Sequence, residues 1–144
     1  MVPRASSRIA EFVDALPLRP GMRVLEIGCG PGVAARLVCA RIGSGYVLAI
    51  DRSPRAIEQA RAGSQLQLTM GRLEFRTVAI EDFTLDSQTP RFDLVFAMRV
   101  GALDGRHPEL ETRALSSIAA ALAPSGRFFI DGGSPLRELA QPFK

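Results

Sequence analysis

Three alternating glycines, Gly28, Gly30 and Gly32, end the stretch "VLEIGCGPG" (residues 24–32), and Asp51 follows the apolar run "YVLAI" (46–50). Removing every other side chain from a turn lets the backbone come close to a ligand. A carboxylate at the end of a strand can accept hydrogen bonds from both hydroxyls of a ribose. Together these two features point to a ligand that contains a nucleoside. Two further segments, "AIEDF" (79–83) and "AMRV" (97–100), come after later apolar runs and belong to the same end of a sheet if those runs are parallel strands.

The elements needed to gather these residues are legible in the pattern. Ile9, Phe12, Val13 and Leu16 stand at helical spacing and predict a helix over residues 6–16, stopped by Pro17, Pro20 and Gly21. Val24, Leu25 and Ile27 read as a buried strand with Glu26 among them. Residues 33–42 form a helix with small alanines that suit close packing on a sheet, and 46–50 a second strand. Ser53 caps the next helix, with Pro54 in its first turn. Residues 73–80, 92–98 and 126–132 read as three more strands, the last after the turn "APSG", and residues 108–122 as the helix between the final two. The tail from Pro135 to Lys144 suits only a short helix before Pro142. Strands alternating with helices, several of them continuous apolar runs, predict a parallel sheet covered on both faces.

Composition sets bounds. A chain of 144 residues, 47% apolar and 23% charged, has the material for one core, so residues 1–144 are read as a single domain. The net charge of +3 comes from 17 arginines and one lysine scattered singly, which argues against a nucleic-acid stripe. Cys29 and Cys39 show no disulfide or metal spacing and, with His107 the sole histidine, leave too few ligands for a metal site. No apolar run is long enough to cross a membrane, and the start lacks a signal-peptide pattern. A reduced, cytoplasmic protein is the expectation.

The ligand can be narrowed. In the dinucleotide fingerprint GxGxxG a third glycine allows close packing of helix on strand, and Val33 occupies its position here. That counts against a nicotinamide oxidoreductase. "EIGCGPG" instead resembles motif I of the class I S-adenosylmethionine-dependent methyltransferases, "FDLVFAM" resembles their fourth-strand motif, and "LAPSGRFFI" their turn into strand five. The resemblance covers roughly residues 5–133. It implies a Rossmann-like α/β/α sandwich with strand order 3-2-1-4-5 and S-adenosylmethionine as cofactor. On this resemblance Gly28, Cys29, Gly30 and Gly32 lie against the methionine part, with Glu26 ordering the turn and Asp51 and Arg52 at the ribose. Ile80, Glu81 and Asp82 stand near the adenine, and Ala97 at the end of strand four. The position where many members carry an adenine-binding Asp holds Ala79.

A second departure concerns size. The full family fold adds two strands after strand five, and only about ten residues follow Gly133. The expectation is a mostly parallel five-stranded sheet lacking those last two strands. Its edge "RFFID" would then be open, to be covered by a second copy or a partner chain, or else by further residues of a longer chain from which this one is cut.

Methyl transfer from a sulfonium needs chiefly an aligned nucleophile, so a catalytic base is optional. His107 beyond strand four is suited to that role by its ordinary pKa near neutrality, although a solvated loop histidine is the simpler reading. Arg99 is placed either to face the acceptor or to pair with a neighbouring acid. Asp104 and Glu109 read as solvated turn and helix-start residues, Cys29 and Cys39 as packing, and the first helix as core more than lid. The absence of an NPPY-type motif leaves a small-molecule acceptor as the default. A cofactor-binding domain without activity of its own is the alternative.

Overall fold

β1 (Arg23–Ile27) divides the core by simple alternation, Val24 facing one apolar layer and Leu25 and Ile27 the other. The computed structural model describes residues 7–141. Around β1 the chain places α1 (Ser7–Ala15), α2 (Val33–Cys39), β2 (Tyr46–Asp51), α3 (Pro54–Ala62), α4 (Gln65–Thr69) and β3 (Leu73–Thr77). A 3-10 turn (Ile80–Asp82), β4 (Phe92–Ala97), α5 (Pro108–Ala121), β5 (Leu122–Asp131) and β6 (Leu136–Leu139) complete it. The sheet runs in the order β3-β2-β1-β4-β5-β6. β3 through β5 are parallel, so one end of the sheet collects the carboxyl termini of five strands.

Phe12, Val13, Val38 and Ile57 from the first three helices join Val24, Leu94 and Phe96 on one face. Ala114 and Ile118 of α5, with Ile80 and Phe83, join Leu25, Ile27, Val95 and Phe128 on the other. This is a Rossmann-like α/β/α arrangement. Full burial of each such Phe, Leu or Ile contributes about 1.5–3 kcal/mol, so the two apolar layers dominate the stability. Ser53 caps α3 as expected, its hydroxyl accepting from the Ala56 N–H at 3.2 Å. α1 packs Phe12 and Val13 into the core, the structural use of that helix.

Five expectations are corrected. The sheet has six strands, not five. The tail forms β6, not a helix, over Leu136–Leu139; residues 142–144 lie outside the described residues. The seven residues 135–141 are too few for a stable helix, whereas pairing antiparallel with β5 satisfies an open ladder and packs Leu136 and Leu139 against the two core layers. β5 is therefore not a bare edge, and the ground for expecting a second chain there is removed. The third strand stops at Thr77 instead of residue 80, because Ile80 turns inward in the 3-10 turn. Strand five begins at Leu122, before the "APSG" segment. Leu122 pairs with Phe92 and Arg127 with Leu94, and the register shift between these pairs absorbs the intervening residues as an irregularity.

Candidate functional site

The glycine turn leaves β1 at the point where strand order reverses, between β1 and β4, the position at which open α/β sheets bind ligands. Gly28 (φ +71) and Gly32 (φ +88) adopt the left-handed conformation that disfavours any side chain. A Cβ on Gly28 would also lie 2.7 Å from Val100 Cγ2, and one on Gly32 3.1 Å from the Phe75 ring. The turn is anchored from beneath, since Gly28 and Cys29 both donate their N–H to the Ile50 carbonyl, at 2.8 and 3.0 Å.

Asp51 ties this turn to the next loop. Its Oδ2 accepts from the Gly30 N–H and its Oδ1 from the Ser53 N–H, each at 2.9 Å. Each carboxylate oxygen keeps a further lone pair, so the residue can still accept from a ligand. Below the turn Glu26 is buried at 3% exposure, and its Oε1 has no hydrogen-bond partner among the described residues. Burial above all, then the Asp51 charge, raises its pKa to about 8 against an opposing pull from Arg36. At neutral pH this carboxyl is mostly protonated and able to donate as well as accept.

A cleft of about 300 Å³ opens in front of these groups. Gly28, Asp51 and Arg52 border it on one side, Val78, Ala79 and Ile80 on a second, and Arg99–Ala102 with Arg106 and His107 on the third. Polar pairs frame it. Arg52 is bound by Glu81, with Nη2 2.8 Å from Oε2, and Arg113 of α5 reaches Asp82 at 2.6 Å.

Residues 24–126, well over half of the chain, match the methyltransferase domain family. The chain belongs to that family. A ubiquinone biosynthesis O-methyltransferase of Xanthomonas axonopodis pv. citri is 32% identical over 121 residues, which cover 83% of this chain and 46% of that protein. A protein-L-isoaspartate O-methyltransferase of Methanothrix thermoacetophila is 32% identical over 139 residues, covering 94% and 59%. The methyltransferase domain thus spans about half the length of these curated relatives. The fold likeness extends to a crystal structure of an S-adenosylmethionine-dependent methyltransferase from Thiobacillus denitrificans in complex with S-adenosyl-L-homocysteine. It has a TM-score of 0.67 at 20% identity, with 90% of this chain and 49% of that one covered.

The residues singled out by sequence fall into two groups in this methyltransferase domain. Gly28, Asp51, Arg52 and Ile80 line the cleft together with His107 and Arg99. Glu26, Cys29 and Gly32 lie buried behind it, Gly30 half-buried with its N–H on Asp51, and Ala97 buried at the end of β4. Glu81 is buried in its pair with Arg52, and Asp82 is exposed with its carboxylate turned to α5. Cys29 is 6% exposed, and burial, then Glu26 and Asp51, push its thiol far above the ordinary range; it packs as an unreactive thiol.

His107 is exposed and stands at the N-cap of α5, its Nδ1 3.5 Å from Glu109 Oε1. Its ring lies against Gly101, where a Cβ would come within 2.5 Å of Cδ2. Asp104 and Glu109 are exposed residues of the turn and of the α5 start, as expected, and each also has a charged or polar neighbour. Asp104 accepts two hydrogen bonds from Arg106 Nε, which hold its carboxyl below the ordinary carboxylate value, and Glu109 pairs with His107. Two residues of this region escaped the sequence reading, Arg106 and Asp131. Asp131 ends β5 as Asp51 ends β2, so "FFID" beside "LAID" was a usable signal.

Proposed function

We propose that this domain, read as one unit over its length, binds S-adenosylmethionine in the cleft between the glycine turn and the β4–α5 segment, and transfers its methyl group to a small-molecule acceptor. The observation that carries the reading is the link from Gly30 N–H to Asp51 Oδ2 at 2.9 Å, which joins the bare turn and the β2 carboxylate into one binding edge. The unpartnered Glu26 Oε1 beneath the turn also fits a polar ligand in need of a buried partner. The two free, buried thiols support a reducing, cytoplasmic setting. Among the described residues no helix is long and apolar enough to cross a membrane.

Asp51 would hold the ribose hydroxyls, the backbone of residues 28–30 would lie against the methionine part, and residues 78–80 would border the base. When bound, the cofactor supplies a methyl carbon on a sulfonium, whose leaving electron pair stays on sulfur as the acceptor's lone pair forms the new bond. The chain's own task is alignment, and well-oriented reactants have effective molarities of order 10⁵ M or more. His107, exposed at the cleft wall, would take the proton that an acceptor hydroxyl or amine releases.

Calorimetry tests the assignment. S-adenosylhomocysteine is expected to bind and NAD not to. Asp51→Ala should weaken S-adenosylhomocysteine by about tenfold or more, the size expected for losing a charged acceptor that also orders the turn. Unchanged affinity in that variant would remove Asp51 from the site.

A further inference from the structure

Three arginines line the cleft, and two of them are committed. Arg52 is held by Glu81. Arg106 grips Asp104 through Nε at 3.0 and 2.9 Å and donates from Nη2 to the Arg99 carbonyl at 2.6 Å. Arg99 differs. It is exposed on the cleft wall, and among the described residues no carboxylate or carbonyl pairs with its guanidinium.

The backbone of Arg99 is nevertheless held firmly. Its φ of +57 is in the left-handed region that side chains other than glycine rarely occupy. Asp131 Oδ1 accepts its N–H at 3.0 Å while Arg106 donates to its carbonyl, so the residue is clamped from both sides of the peptide. Asp131 itself is steadied by Arg8 of α1, 3.5 Å from its Oδ2. Side chains from α1, from the end of β5 and from the loop before α5 thus converge on one strained backbone, while its guanidinium has no partner among the described residues.

Charge balance gives that cation a purpose. Within the cleft the Arg52–Glu81 and Arg106–Asp104 pairs cancel, which leaves Asp51 against Arg99. S-adenosylmethionine adds a sulfonium, an ammonium and a carboxylate, so the loaded cleft has an excess positive charge. A second ligand of negative charge would be drawn to it, and a planar guanidinium offers such a ligand paired N–H donors.

We propose that the methyl acceptor carries an oxyanion, a carboxylate or a phosphate, and that Arg99 binds it as a handle separate from the atom that is methylated. This rests on the reading of the cleft as an S-adenosylmethionine site.

The test uses ¹⁵N-labelled protein saturated with S-adenosylmethionine, which keeps the sulfonium charge in the cleft, and titrated with benzoate, phenyl phosphate and benzamide. Either anion should bind saturably and move the Arg99 Nε–Hε resonance while neutral benzamide does not, and the tighter of the two identifies carboxylate or phosphate as the handle. Arg99→Gln should weaken the anion by about tenfold, as expected for a lost charge-assisted pair. Arg99→Lys should recover part of it, because a point charge replaces the fork. Anions that bind no better than benzamide, or as well to Arg99→Gln as to the parent, overturn the proposal. So does a comparable loss of S-adenosylhomocysteine affinity in Arg99→Gln, which would assign Arg99 to the cofactor's own carboxylate. Failure of the unmodified protein to bind S-adenosylhomocysteine overturns the cofactor reading and this proposal with it.

Discussion

Glu26 shows how one buried side chain couples the site to stability. Its folded pKa of about 8 stands above the ordinary 4.5, so an unfolded chain releases this proton at lower pH than the folded one does. The folded state therefore binds more protons between those two values, and stability falls as pH rises from 4.5 toward about 8. Glu26→Gln removes the titration. Urea midpoints measured across this range should decline in the parent and flatten in the variant; parallel curves would show that Glu26 ionises freely in the fold. The residues of the site were legible to different degrees for a physical reason. Gly28 and Asp51 announce themselves because a bare turn and a strand-end carboxylate are local features. The hold of Asp131 on Arg99 spans 32 positions, and only the pairing of β4 with β5 creates it.

At the scale of elements, β6 asks what keeps four residues in place. Arg127 and Glu138 join β5 to β6 through two hydrogen bonds at 2.9 and 2.8 Å, but their side chains are 50% and 41% exposed. Solvent-exposed pairs contribute about 0–1 kcal/mol, so the bridge is the lesser part. The ladder, and the half-buried Leu136 and Leu139, do more. Glu138→Gln should change unfolding free energy by no more than about 0.5 kcal/mol in a urea titration. Leu139→Asp should cost about 1–3 kcal/mol and, by loosening β6 from β5, produce self-association in light scattering. A Glu138→Gln variant that loses more than Leu139→Asp would reverse this ordering. The same weighing explains what the sequence left hidden. The long elements carry their period in apolar residues, as Phe12 and Val13 or Leu94 and Phe96 do. β6 carries two leucines whose spacing fits a helix as well as a strand, and α4 buries no residue at all, so neither leaves a local signal.

For the molecule as a whole, the decisive feature is that the cleft is walled by segments following β1, β2, β3 and β4, gathered at one end of the sheet. Contacts such as Gly30 to Asp51 and Arg52 to Glu81 join them there. A ligand that touches all of these walls binds the folded state alone and stabilises it by mass action, about 2.7 kcal/mol at a concentration one hundred times its Kd. In a domain of this size that corresponds to a rise in Tm on the order of 10 °C. S-adenosylhomocysteine should produce such a rise in a thermal melt. NAD should not, because Val33, half-buried at the start of α2, stands where a dinucleotide turn places its third glycine and brings helix and strand together. Asp51→Ala should reduce the shift from S-adenosylhomocysteine while leaving the ligand-free Tm lower by only a few degrees, the effect of two backbone N–H groups losing their carboxylate acceptor at a half-buried site. An equal shift from both ligands would mean that the bare turn accepts a nucleoside without distinguishing a sulfonium from a pyrophosphate.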